Sequence, residues 1–194
     1  MGAALTGQGP PPTDPTVSLM RYTNGERGRL WYDVAHFDQL FQPRFAQNVT
    51  AEYRVVGTGA AGTSPVIEVV NTEWLVDRPI IITGTAFLDP HYRGEPGKLL
   101  VQFNPSELFP LVPGPAHYWI LMVSPLDAEH PDYRYAVVSN PARTALWILS
   151  ATQRIDEQDM REILARLMSP EFGFARTQFE QPNFVLTKHT RRPQ

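Results

Sequence analysis

Val49-Thr50-Ala51-Glu52-Tyr53-Arg54-Val55 alternates apolar and polar side chains residue by residue. Successive side chains of a strand point to opposite faces, so this stretch reads as a half-buried strand with Val49, Ala51, Tyr53 and Val55 on its inner face. Outward from it, the chain breaks into short β-rich runs divided by Gly, Pro, Asn and Asp. Eight such runs are predicted, at 30–37, 47–56, 65–73, 79–88, 98–104, 117–124, 133–139 and 144–151. Most connections between them are hairpin-sized. The predicted fold is all-β: an eight-stranded antiparallel up-and-down barrel, the arrangement that leaves no strand edge open.

One segment departs from this pattern. Ile155, Met160, Ile163, Leu164 and Leu167 recur at helical spacing with charges between them, Asp156 can cap the start, and Pro170 follows the end. This predicts one amphipathic helix over 156–168, packed on the outside of the barrel. After it, Asn183-Phe184-Val185-Leu186-Thr187 reads as a short edge strand. The domain reading is a flexible Pro/Gly-rich leader over 1–22, a barrel over 23–187 and a frayed basic tail over 188–194. Met1-Gly2-Ala3-Ala4-Leu5-Thr6 fits the N-myristoylation pattern, which reads as chance rather than as a lipid anchor.

Composition narrows the function. Seventeen basic against twenty acidic side chains give a net charge of -3, which argues against a nucleic-acid binder. Absence of cysteine removes disulfides, thiolate metal sites, thiol nucleophiles and cysteine lipidation together. No apolar run reaches the roughly 18 residues of a membrane helix, and the leader has neither the basic nor the apolar region of a secretion signal. The default expectation is therefore a soluble, cytoplasmic chain, monomeric or homodimeric, with at most weak contact with a membrane surface. Gly57-Thr58-Gly59-Ala60-Ala61-Gly62 spells a dinucleotide fingerprint, but a strand follows where a helix is needed, so it reads as a hairpin loop. His36, His91, His117, His130 and His189 have no ligand spacing, and no metal or cofactor is expected. Asp33 lies two residues from Trp31 and so on the same face of its strand; it reads as a buried structural carboxylate.

The apolar loops are more telling. Phe37, Leu40, Phe41 and Phe45 crowd the connection between the first two strands, as a lid over a cavity mouth or as a satellite cluster. Leu108, Phe109, Leu111 and Val112 fill a second long loop, which reads as a binding rim or an interface. Tyr118-Trp119-Ile120-Leu121 and Leu146-Trp147-Ile148-Leu149 are apolar on both faces: one face packs outward under the helix, the other lines the barrel.

Gly28-Arg29-Leu30-Trp31-Tyr32-Asp33-Val34-Ala35-His36-Phe37-Asp38 resembles the opening motif of the lipocalins, in their bacterial lipocalin and apolipoprotein D branch. Val49-Thr50-Ala51-Glu52-Tyr53, Val69-Val70-Asn71, Gly97 to Phe103, Tyr118 to Leu121, Tyr135 to Val138 and Leu146 to Ser150 follow in that family's order, so the resemblance spans about residues 28–180. Two departures stand out. Arg29 and Leu30 separate the glycine from Trp31 where the family has one residue, and Ala151 stands where the family has an arginine that lies across that tryptophan.

The resemblance implies a barrel closed near Gly28 and Trp31 and open at the other end, holding a small hydrophobic ligand such as a fatty acid or lysophospholipid. Tyr53, Val69, Val101, Trp119, Leu121, Tyr135 and Trp147 are expected as its wall, Phe41 and Phe109 at its mouth, and Asn71 and Tyr135 as partners of a polar head group. Two alternatives stay open. One is an enzyme on the same scaffold using Asp33, Glu73 or a histidine; the other is a self-filled barrel whose apolar loops bind a protein.

Overall fold

The computed structural model describes residues 9–39, 42, 44–59, 64–105 and 114–190. Its eight principal strands are β1 (Arg29–Phe37), β2 (Gln47–Thr58), β3 (Pro65–Leu75), β4 (Arg78–Leu88), β5 (Lys98–Phe103), β6 (Ala116–Val123), β7 (Tyr135–Ser139) and β8 (Leu146–Ser150). Each pairs antiparallel with the next, and β1 pairs with both β8 and β2, closing the barrel. Helix α2 (Glu157–Leu167) starts at Asp156, whose carboxylate accepts from the Gln158 amide at 2.7 Å. A ninth, short strand, β9 (Phe184–Leu186), follows α2.

Two apolar clusters divide the molecule. The inner one gathers Trp31, Ala51, Tyr53, Ile67, Val69, Ala86, Leu99, Val101, Ile120, Val138 and Leu149. The outer one lies under α2, where Ile163 and Leu167 pack with Tyr32, Trp119, Leu121, Met122, Tyr135, Val137, Leu146 and Ile148. Bulges let both clusters exist. In β1 the register shifts between Asp33 and Ala35, so Asp33 and His36 both belong with the inner face while Val34 and Ala35 sit in the outer cluster. In β6 the shift falls between Ile120 and Met122, which leaves Leu121 and Met122 together on the outer face.

Two of the expected chain ends are corrected. The leader was expected to be flexible to residue 22, yet Val17, Leu19 and Tyr22 are core residues. The Asp14 amide donates to the Ile120 carbonyl at 3.1 Å, and a short helix, α1 (Leu19–Thr23), follows the cap at Ser18. Three apolar residues in six positions suffice to cover the closed end, and five residues are too few to display a helical period. The tail is likewise fixed as far as Thr190. β1 pairs with β2 only from Arg29 to Tyr32; beyond that β9 takes the same edge, at Ala35, His36 and Phe37. The chain then runs on beside β2, where the Asn48 amide donates to the Lys188 carbonyl and the Thr190 amide to the Asn48 side chain, each at 2.8 Å. The tail thus wedges the gap where β1 and β2 part.

Candidate functional site

Strand direction sets the two ends of the barrel. Its closed end is built on Trp31, whose indole N–H donates to the Tyr22 carbonyl at 3.0 Å while the Tyr22 ring stacks on it at 5.4 Å. The Arg29 guanidinium lies 4.5 Å from the indole centroid and donates to the carbonyls of Arg21 and Tyr133. The cation that covers the tryptophan thus enters from β1. Just inside, Tyr118 links the hydroxyls of Tyr22 and Tyr53 at 2.6 and 2.8 Å. Burial raises all three phenols, Tyr53 to about 12 and the other two well above their ordinary value.

The other half of the inner face carries a polar cluster. Asp33 is 2% exposed, accepts from Gln42 at 2.5 Å and stands 3.0 Å from His36 Nδ1, which the same Gln42 amide nitrogen approaches at 3.1 Å. Gln42 is oriented by Trp147, whose indole N–H donates to its Oε1 at 3.1 Å; its amide nitrogen therefore faces Asp33. Thr187, brought in by the tail, stands 3.2 Å from His36 Nδ1 and 3.4 Å from Asp33. Glu73, on the inner face of β3, is pushed to about 7, first by burial, with Asp33 adding and His36 opposing.

Of the wall residues expected from the sequence, Tyr53, Val69, Val101 and Trp147 are on the inner face. Trp119, Leu121 and Tyr135 are corrected: they belong to the outer cluster under α2. The strands that carry them are apolar on both faces, so composition could not say which face looked inward. Tyr135 is for the same reason not available to an interior head group. Asn71 stands with Val69 and Glu73 by parity, and its Oδ1 is buried without a partner among the described residues. Phe41 and Phe109 lie outside the described residues. The Gln42 and Thr187 contributions were missed; nothing in the sequence around them signals a role, because only the closure of the barrel brings them to Asp33.

Three of the residues named for an enzyme, Asp33, His36 and Glu73, are brought together. They do not form a nucleophilic relay: the Thr187 hydroxyl and the Asp33 carboxylate meet the same ring nitrogen of His36, Nδ1, and Nε2 has no partner among the described residues. No three ligating side chains among the described residues gather as a metal site.

A closed barrel with an apolar inner face and a few buried polar groups at one end defines a small-molecule-binding class of protein. The sequence matches the family described as a lipocalin-like domain over residues 17–183, and the chain belongs to that family. Temperature-induced lipocalin-1 of Arabidopsis thaliana is 28% identical over 163 residues, covering 82% of this chain and 80% of that protein. Outer membrane lipoprotein Blc of Escherichia coli K12 is 31% identical over 135 residues, covering 70% of this chain and 65% of Blc, slightly under two thirds of its length. Among solved structures, insecticyanin of the tobacco hornworm Manduca sexta shares the fold with a TM-score of 0.61 at 16% identity, covering 95% of this chain and 86% of that one. Members of the family are mainly binding and transport proteins. Among the described residues no helix is long and apolar enough to cross a membrane.

Proposed function

We propose that the protein binds a small lipid, a fatty acid, lysophospholipid or similar amphiphile, inside its barrel. The observation that carries this reading is the inner face itself. Tyr53, Val69 and Val101 form an apolar wall, and against it pack residues that are only half-buried, among them Val55, Leu88, Phe103 and Trp147. Each acyl methylene taken into such an interior contributes about 0.8 kcal/mol, so a chain of ordinary length supplies the affinity and the polar cluster orients its head.

The test is a titration with a fluorescent fatty acid, read by energy transfer from tryptophan, with unlabelled lipids as competitors. Wild type is expected to bind saturably and to release the probe on competition. Val69→Trp fills the interior at mid-wall and is expected to abolish binding while the chain stays folded by circular dichroism. Trp119→Phe, on the outer face, is expected to leave affinity unchanged. Equal binding by wild type and Val69→Trp would move the site out of the barrel.

A further inference from the structure

We propose that the β3–β4 hairpin is a docking finger for an anionic phospholipid surface, and that it sets the mouth of the barrel against the bilayer. The inference does not depend on what the barrel holds.

The hairpin is the part of the wall that stands clear. β3 and β4 stay paired as far as Leu75 and Arg78, whereas β4 leaves its pairing with β5 at Gly84 and Phe103. One further bond follows, from the Asn104 amide to the Thr83 carbonyl at 2.8 Å. Residues 78–82 of β4 therefore have no strand on that side among the described residues. Register places Trp31 with Ala51 and Asn71, so this free part of the hairpin lies toward the open end. Its sequence from Trp74 is Trp-Leu-Val-Asp-Arg-Pro-Ile-Ile-Ile, in which Asp77 and Arg78 are the only charges.

A hairpin that ends in water carries polar turn residues, with Gly or Asn where φ is positive. Here the residue with positive φ, at 57°, is Val76, and its side chain is 82% exposed at the tip. Ile81 is 56% exposed on the outer face, which it shares by register with Thr72 and by parity with Trp74. Ile80 and Ile82, opposite Glu73 and Asn71, lie on the other face. A protein partner covers one face of such a hairpin. Lipid surrounds it, and so matches one that is apolar at its tip and on both faces.

The surroundings extend the patch and supply charge. Gln47 pairs with Trp74 and also bridges to Lys188, so the start of β2 and the tail stand beside the finger. Phe45, two residues before Gln47, is 66% exposed, and Lys188 is exposed as well. From Gln181 onward the sequence holds Lys188, Arg191 and Arg192 and no acidic residue. Arg44 is paired with Asp38 at 2.5 Å, and Asp77 offsets Arg78, which leaves the cations of the tail as the net charge of this corner. Apolar groups and unbalanced cations on one corner select an anionic lipid surface. Docking is shallow, because the free edge of β4 carries backbone N–H and C=O groups that hydrocarbon cannot satisfy. Trp74 then stands at the level of the head groups.

The test is flotation of the full chain, at low and high salt, with vesicles of phosphatidylcholine alone and of phosphatidylcholine with phosphatidylglycerol at about three to one. Wild type is expected to float with the mixed vesicles and to be released by salt. Its tryptophan emission is expected to be quenched by phosphatidylcholine brominated high on the acyl chain, and Trp74→Phe to lose that quenching. Val76→Asp and Ile81→Asp are each expected to weaken binding at least about tenfold, as withdrawal of one apolar side chain from lipid implies, with circular dichroism unchanged. Val56→Asp is the control: Val56 is 53% exposed toward the closed end of β2, and its loss is expected to leave binding as in wild type. Wild type that floats with neither vesicle overturns the proposal, as does binding that ignores both salt and phosphatidylglycerol, or an equal loss in Val56→Asp. Those wild-type results decide even if a substituted chain fails to fold. A dimer by light scattering that Ile81→Asp dissolves, without flotation, assigns the finger to a second copy and overturns it too. Failure of fatty-acid binding inside the barrel leaves the flotation result standing.

Discussion

Glu73 shows how one side chain couples the site to stability. Its folded-state value, about 7, lies above the ordinary carboxylate value of 4.5, so the native state holds the proton more tightly than the unfolded chain. The associated stability is complete at acid pH below the unfolded value and is lost as pH rises through 7. Water reaching this half-open interior screens the charge, so the loss is on the order of 1–2 kcal/mol. Glu73→Gln is expected to remove that loss, and thermal melts at pH 5 and pH 8 should converge relative to wild type. Arg29 is the second informative residue. Its side chain is 13% exposed, covers Trp31 and donates to two carbonyls. Arg29→Met retains the stem but leaves those carbonyls without their donor, an expected cost of about 1–3 kcal/mol, with a shift in Trp31 emission as the second readout.

At the scale of elements, α2 packs on the outer cluster, while the tail, beyond Phe184 in that same cluster, also reaches the inner polar groups through Thr187. Leu167 is fully buried against the outer cluster, so Leu167→Ala is expected to destabilise by about 2–5 kcal/mol through the cavity it leaves. Because that cluster lies behind the wall, lipid affinity per folded molecule should not change. Truncation after Glu180 removes β9 and Thr187 and exposes the edge of β1 from Ala35 to Phe37. The expected outcome is the reverse: a modest fall in melting temperature, with faster hydrogen exchange in β1 and altered ligand affinity, since the Asp33–His36 pair loses its lateral cover. Exchange in β1 no faster than in the full chain would show that the tail is not part of the wall.

For the whole molecule, binding inside a closed barrel links ligand to folding. A lipid that occupies only the native interior is expected to raise stability by about 2.7 kcal/mol at a hundredfold excess over its dissociation constant, seen as a rise of several degrees in the melting temperature. Competition and melting should then rank the unlabelled lipids in the same order. A surface-bound lipid would break that agreement.

The strand count, the helix and most strand limits were legible because alternation, turn residues and helical spacing are local signals. β1 through β8 fall within a few residues of the predicted runs, and the Asp156 cap begins α2. Closure at Trp31 was legible from the motif around it, as was the inner position of Tyr53, Val69, Val101 and Trp147. Which face of β6 and β7 looks inward was not, because Tyr118, Trp119, Ile120 and Leu121 are apolar throughout and the bulge at Leu121 and Met122 depends on pairing with β7. Nor could the sequence join Asp33, His36, Gln42, Glu73 and Thr187, which span more than 150 positions. Local composition determined the elements and their order. Only closure of the sheet, which brings β1 beside β3's neighbour and the tail beside both, decided which polar groups share the interior.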